Sequence, residues 1–240
     1  MSIIKISGLS KSINRQEILK GISLEIKQGE ILVVLGASGA GKSVFLKHLV
    51  GLFKPDSGTI EIESIDITKL SEKELIKIRR NIGYLFQDGA LYDFMSIFEN
   101  VAFPLEEHTD LKEKDIDQKV KETLSLVGLE GVDGKYPVEL SGGMRKRAAL
   151  ARSIILNSKF LFCDEPTSGL DPILSREMTD LIRDISRQFK TTTVIASHDL
   201  KNSLRIADRL TLIYEGRLVL TGTKEEFLSS QDVYVKQFLN

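Results

Sequence analysis

Hydrophobic residues recur along the chain at spacings that are typical of strands and of helices. Ile22, Leu24 and Ile26 alternate with polar residues, which indicates a β-strand with one buried face. The run Ile31–Leu35 is apolar at every position. Three later segments also have the character of buried strands: 82–86, 160–163 and 191–196. Strands with two apolar faces lie inside parallel sheets that helices cover. The pattern therefore predicts antiparallel strands in the first 30 residues and a buried parallel sheet after them.

Helices are predicted between the buried strands. A helix is expected over 42–50, and Ser71 followed by Glu74 forms a capping box that opens another helix, ending near Arg80. Near the C-terminus, 210–221 is predicted to be a β-hairpin, with further helices after it. Strands that alternate with helices predict an α/β fold with a parallel core sheet, joined here to an antiparallel β annex.

The segment 88–157 differs from the rest because helical spacing dominates it. Pro104 is expected to break this segment. Beyond it, apolar residues recur three or four positions apart: Ile116, Val120, Leu124 and Val127. We therefore predict one domain over 1–240, in which 1–87 and 158–240 form the core with its β annex and 88–157 forms an inserted helical subdomain.

Composition narrows the class of protein by exclusion. A chain of 240 residues suffices for one large domain or two small ones, and 28% charged residues is ordinary for a globular protein. A net charge of −1 gives no basic field for nucleic acid, and a single cysteine excludes a disulfide framework. Ile31–Leu35 is far shorter than the ~20 residues of a membrane span, and the N-terminus lacks the pattern of a signal peptide. We expect a cytosolic protein, or one on the cytosolic side of a membrane.

A glycine-rich segment lies between Ile31–Leu35 and the first predicted helix. It matches the pattern GxxxxGK[ST] and consists of Gly36, Ala37, Ser38, Gly39, Ala40, Gly41, Lys42 and Ser43. Backbone N–H groups in such a loop bind phosphate, and the helix N-terminus favours its negative charge. Lys42 is predicted to reach the β- and γ-phosphates, and the Ser43 hydroxyl to ligate Mg²⁺. A glycine-rich turn that binds nothing is the alternative.

Two adjacent carboxylates follow the buried strand 160–163. Asp164 is predicted to hold Mg²⁺ at the end of the strand, and Glu165 to face the γ-phosphate and polarise the attacking water. Acidic pairs at strand ends also form ordinary turns, which is the alternative for these two residues. Cys163 is interpreted as a small buried hydrophobic residue.

A second anion site is predicted at the start of another helix. Leu140 is followed by Ser141, Gly142, Gly143 and Met144, and then by the basic residues 145–147. Ser141 would merely cap the helix if those basic residues form a solvated face. Basic groups in a first turn oppose the helix dipole, however, so the glycines, the hydroxyl and the dipole together indicate an anion site. Because one phosphate loop binds one nucleotide, this site is predicted to serve the nucleotide of a neighbouring subunit.

Gln87 and His198 each follow a buried strand, at the edge where α/β sheets bind ligands. Taken singly, each is more often a satisfied polar residue at a strand end. Together with the motifs above they resemble an ATP-binding cassette (ABC) ATPase along essentially the whole chain, in the family's order and approximate spacing. The resemblance implies the α/β fold of a P-loop NTPase and a head-to-tail homodimer that hydrolyses ATP with Mg²⁺.

The resemblance also implies roles for individual residues. Each ATP would contact the phosphate loop of one subunit, including Val44, and residues 141–144 of the other subunit. Asp171, in the run 168–171, would serve communication between the two sites.

The implied catalytic set is Glu165, Gln87 and His198, with His198 at the γ-phosphate. The implied Mg²⁺ set is Ser43, Gln87 and Asp164. Gln87 would also link ATP to a membrane partner.

A narrower resemblance involves the segments 86–109 and 144–152, which are similar to the Mla/Mkl group. That group drives phospholipid transport between bacterial membranes with a permease and a lipid-binding MCE protein. The resemblance implies a peripheral protein on the cytoplasmic face of the inner membrane, with permease subunits, an MCE protein and a small accessory protein as partners and no nucleic acid. The alternatives are the ATPase of another solute permease and an FtsE-like ABC ATPase that transports nothing.

The chain departs from the family where the base of the nucleotide is read. The family often places an aromatic residue upstream of the phosphate loop, where it stacks on adenine. By register Ile13 occupies that place, and no Phe, Tyr or Trp precedes Phe45. The sequence therefore predicts weak recognition of adenine.

Overall fold

The computed structural model describes residues 2–239. Its strands are β1 (Ser2–Ile13), β2 (Gln16–Lys27), β3 (Ile31–Leu35), β4 (Ser57–Ile62), β5 (Ile65–Asp66), β6 (Ile82–Leu85), β7 (Phe160–Asp164), β8 (Thr192–Ser197), β9 (Arg209–Tyr214) and β10 (Arg217–Gly222). Its helices are α1 (Lys42–Leu49), α2 (Glu72–Arg79), α3 (Ile97–His108), α4 (Glu113–Leu126), α5 (Gly142–Ile154), α6 (Pro172–Phe189), α7 (Leu200–Ile206), α8 (Lys224–Leu228) and α9 (Val233–Leu239).

Two sheets form the framework. The larger sheet has the strand order β10-β9-β3-β8-β7-β6, and every neighbouring pair is parallel except β10 with β9. The smaller sheet has the order β2-β1-β4-β5 and is antiparallel throughout. The α/β class, the parallel core and the antiparallel annex expected from the sequence are therefore all present.

Strand β3 is apolar at every position because it lies between two cores. Ile31, Val33 and Leu35 pack into the cluster that contains the helical segment, whereas Leu32 and Val34 pack into the cluster that contains the annex. All five side chains are fully buried. The strand that leads into the phosphate loop is thus held from both faces.

Helices α3, α4 and α5 lie between β6 and β7 in the chain. The expectation that Pro104 breaks this segment is wrong, because Pro104 lies inside α3. A proline in a helix removes one N–H donor and costs about 3 kcal/mol. Ile97, Val101 and Leu105 of the same helix are buried in the core, and their packing outweighs that cost.

Helix α5 packs closely on the core sheet at one point. A Cβ added at Gly83 of β6 would overlap the carbonyl oxygen of Ser153, near the end of α5. Only glycine allows the helix to lie this close to the strand.

None of the helices between residues 2 and 239 has the length and the apolar character that a bilayer crossing demands.

Candidate active site

The phosphate loop joins β3 to α1. At two of its positions, only glycine fits because a Cβ would clash with neighbouring atoms. A Cβ at Gly36 would lie 2.6 Å from the Ile213 carbonyl oxygen. Gly41 has a φ of 101° and directly precedes α1, and its Cβ would lie 2.9 Å from Leu19 Cδ2. The loop therefore brings its backbone close to neighbouring strands, and the free N–H groups of the first turn of α1 lie at its end.

Lys42 is a buried cation whose three N–H donors all have acceptors. Its Nζ donates to the carbonyl oxygens of Gly36 at 2.8 Å and Ala37 at 3.1 Å. It also lies 3.0 Å from Glu165 Oε1. An ammonium has only three N–H donors. A phosphate oxygen can therefore accept a hydrogen bond from Lys42 only if Lys42 loses one of these three contacts.

Two of the three residues expected at Mg²⁺ are in contact: Ser43, in the first turn of α1, and Asp164, the last residue of β7. Ser43 Oγ donates to Asp164 Oδ1 at 2.7 Å. Burial raises the pKa of Asp164, although the Ser43 hydrogen bond acts in the opposite direction. Among residues 2–239, no group of three or more His, Cys, Asp or Glu side chains could hold a metal ion. Mg²⁺ prefers oxygen ligands and usually takes one or two from the protein beside substrate phosphates, so Ser43 and Asp164 fit it.

Glu165 is held in a special backbone conformation directly after β7. Its φ is 46°, in the left-handed region. Its N–H donates to the Ala196 carbonyl at 3.0 Å, and its own carbonyl accepts from the Ser168 N–H at 3.0 Å. Its Oε2 lies 2.7 Å from His198 Nδ1. Non-glycine residues in this region cost of order 1 kcal/mol and persist where surrounding contacts fix them, often at functional sites.

One cleft of about 620 Å³ collects most of the expected site residues. It is lined by Ile18, Ala37, Ser38, Gly39, Gly41, Lys42, Ser43, Val44, Gln87, Glu165, Ser168 and His198. Ile18 and Ser168 were not predicted site residues. Ser168 stands in the run that contains Asp171, whereas Ile18 has no signal of its own in the sequence.

The cleft lining does not include Ser141 or Asp171 of the same subunit. Each is exposed and caps its own helix: Ser141 Oγ accepts the N–H of Met144 at 3.3 Å, and Asp171 Oδ1 accepts the N–H of Ile173 at 2.8 Å. Gly142 and Gly143 form the first turn of α5.

The three basic residues at the start of α5 all bind backbone carbonyls of their own chain. Arg145 donates to Leu140, Lys146 to Gln87 and Arg147 to Val127. A second anion site at this helix would therefore rest on the Ser141 hydroxyl, the free N–H groups and the helix dipole rather than on these cations.

Ile13 lies at the end of the β1–β2 hairpin, opposite Gln16. It is not among the residues that line the cleft, and the aliphatic wall on that side comes from Ile18.

Residues 19–168 match the family model described as "ABC transporter". The chain belongs to the ABC transporter family. Its ATP-binding cassette binds ATP and hydrolyses it. Such cassettes dimerise and pair with membrane permeases.

Among curated proteins, the chain is 46% identical to the "probable ribonucleotide transport ATP-binding protein mkl" of Mycobacterium leprae, over 99% of this chain and 68% of that protein. The chain thus spans about two thirds of the length of this mycobacterial relative. It is 40% identical to the "intermembrane phospholipid transport system ATP-binding protein MlaF" of Haemophilus influenzae, over 99% of this chain and 90% of that protein.

Among solved structures, the dimeric ATP-binding cassette MJ0796 in a post-hydrolysis state with ADP and Pi is similar, with a TM-score of 0.86 and 29% identity. The similarity covers 92% of this chain and 98% of that one. The expected fold class, ABC ATPase, is confirmed.

Proposed function

We propose that this chain is the ATPase subunit of a transporter that moves phospholipids between bacterial membranes, together with permease subunits and an MCE protein. The observation that carries the proposal is the similarity to MlaF, which extends over 99% of this chain and 90% of that relative. The proposal places the chain as a peripheral subunit on the cytoplasmic face of the inner membrane. A small accessory protein is a further proposed partner.

Within the cleft, Glu165 is proposed to accept a proton from the attacking water. Its contact with His198 orients the carboxylate, and its fixed backbone holds it beside the phosphate loop. Lys42 and the N–H groups of the loop bind the phosphates. Mg²⁺, held by Ser43 and Asp164 with Gln87, would supply positive charge that offsets charge developing on the phosphate oxygens.

The dimer is proposed to complete each cleft with the partner subunit's start of helix α5. Ser141 and Asp171 are exposed beyond the cleft of their own subunit, which supports a role in trans. The solved cassette MJ0796 is itself dimeric. The second site residues would thus be Ser141, Gly142, Gly143 and Met144, with Asp171 between the two sites.

A groove of about 390 Å³ is the proposed contact with the permease. Tyr84, Phe86, Tyr92 and Phe103 give it an aromatic lining, and the neighbouring Phe94 is 75% exposed. An exposed aromatic surface is typical of a protein-binding site. Phe86 directly precedes Gln87, so this groove and the nucleotide cleft share one stretch of backbone.

The test is isolation of the tagged chain from membranes of its own source in mild detergent, followed by reconstitution of the complex in nanodiscs. We expect a permease and an MCE protein, and ATP-dependent transfer of labelled phospholipid between membranes. A permease with a solute-binding protein, or transfer of a labelled ribonucleotide instead of lipid, would overturn the lipid proposal. A lone membrane protein and no transport would favour the FtsE-like alternative.

A further inference from the structure

Lys146 is a buried cation whose hydrogen-bond partner is a backbone carbonyl. It is 8% exposed, and its ammonium donates to the backbone carbonyl of Gln87. Among residues 2–239, no carboxylate oxygen lies within 4.0 Å of its ammonium. Burial lowers its pKa, although the charges of Asp88, Glu165 and Asp164 act in the opposite direction.

Such a lysine is expected to cost stability rather than add to it. Removing a cation from water carries a penalty that only a well-placed counter-charge and hydrogen bonds offset. A methionine has nearly the same length and no charge, so it would occupy the same space without that penalty. Packing therefore does not account for a lysine at this position.

A second cation of the same helix holds the other end of the same loop. Arg152 donates from Nη2 to the Gly89 carbonyl at 2.9 Å and from Nη1 to the Ala90 carbonyl at 2.8 Å. Its guanidinium carbon also lies 5.7 Å from the ring centre of Tyr92. The segment 87–92 is thus fastened to α5 at its nucleotide end by Lys146 and at its groove end by Arg152.

We infer that Lys146 is a positioning residue for the hydrolytic reaction: its contact with the Gln87 carbonyl fixes the Gln87 side chain in the cleft that Ser43 also lines. Ser141 caps the same helix, so Lys146 also links Gln87 to the residues that are proposed to face the partner subunit. This inference rests on the proposed role of Gln87 at Mg²⁺.

The first experiment compares Lys146→Met, Lys146→Arg and the control Lys121→Met, which removes a 58% exposed lysine side chain on α4. Binding of the unhydrolysed analogue AMP-PNP is followed as Mg²⁺ is titrated, and again in EDTA. For Lys146→Met we expect the half-saturating Mg²⁺ concentration to rise about tenfold, the scale of one charge-assisted hydrogen bond. Binding in EDTA and the Tm should not fall, and Lys146→Arg should restore most of the Mg²⁺ response. An unchanged Mg²⁺ response in Lys146→Met, or a lower Tm with equal losses in Mg²⁺ and in EDTA, would overturn the inference.

The second experiment combines Lys146→Met with Gln87→Ala. If Lys146 acts through Gln87, the double variant should need no more Mg²⁺ than Gln87→Ala alone. If the two substitutions raise the half-saturating Mg²⁺ concentration additively, the inference is overturned, whereas the role of Gln87 stands. A Gln87→Ala variant with an unaltered Mg²⁺ response would instead show that the proposed role of Gln87 is wrong, and the inference would fall with it.

Discussion

Lys42 and Glu165 form an ion pair in the cleft, with 3.0 Å between Nζ and Oε1. A phosphate that binds Lys42 therefore competes with Glu165 as well as with two carbonyls. Removing the negative charge of Glu165 should weaken this competition and remove the proposed base in the same step.

Glu165→Gln is accordingly expected to lower hydrolysis more than a hundredfold while ATP binds at least as tightly as in the unchanged protein. ATP should then trap a dimer on size-exclusion chromatography. The control is Glu63→Gln, which removes the surface partner of Lys159; neither of these residues lines the cleft. Hydrolysis at the original rate in Glu165→Gln would show that another group acts as the base.

Asp164→Asn tests the proposed Mg²⁺ site separately. Burial raises the pKa of Asp164, so its ionised form is destabilised in the folded protein, and a neutral amide should not lower the free energy of unfolding. ATP affinity in Mg²⁺ should fall about tenfold or more, whereas affinity in EDTA should stay within about twofold. Equal losses under both conditions would mean that Asp164 acts on the shape of the loop rather than on Mg²⁺.

At the scale of the elements, Ser141 at the start of α5 has two alternative roles, and one substitution distinguishes them. As a helix cap alone, Ser141 is worth ~1 kcal/mol of stability, and its loss should leave hydrolysis intact. As a contact to the neighbour's γ-phosphate, it is required for hydrolysis. Ser141→Arg is therefore expected to abolish turnover while the monomer still binds ATP through its untouched phosphate loop.

Mixed dimers give the sharper form of this test. Ser141→Arg and Lys42→Ala subunits are each expected to be inactive alone. Mixed together, they form dimers in which one cleft has an intact Lys42 from the first subunit and an intact Ser141 from the second. Recovery of hydrolysis on mixing is the expected result, and its absence would place Ser141 in the cleft of its own subunit.

Elements with strong local patterns were predictable, and those that depend on distant packing were not. The apolar run of β3 and the Ser71–Glu74 capping box of α2 are local signals, and both appear in the structure. Pro104 inside α3 was missed because its cost is local, whereas the packing that outweighs it comes from residues far along the chain. The Lys42–Glu165 contact joins residues that are remote in sequence, so motif spacing gives no sign of it.

At the scale of the whole molecule, we expect the cleft lining beside the phosphate loop to determine how well the protein distinguishes ATP from GTP. Its contribution from β2 is Ile18, an aliphatic residue, where stacking on an aromatic ring would be worth about 1–3 kcal/mol. Phosphate and Mg²⁺ contacts then supply most of the affinity, and these are the same in ATP and GTP. We expect the two affinities to differ by less than about tenfold in competition binding. A hundredfold preference for ATP in the purified chain would mean that other groups read the base.

Because Gly83 of β6 lies so close to Ser153, this contact is the pivot about which helix α5 can tilt. Ser141 lies about 18 Å from that point along the helix, at 1.5 Å per residue, so a tilt of about 5° displaces it by about 1.6 Å. That displacement is enough to make or break a hydrogen bond to a phosphate. The methyl group added by Gly83→Ala would push α5 away from β6 at this contact. We expect ATP-driven dimerisation to weaken about tenfold in analytical ultracentrifugation, whereas the affinity of the monomer for ATP should not change. In the proposed dimer, the displacement of Ser141 that follows a small movement at the groove is thus set by a residue that has no side chain.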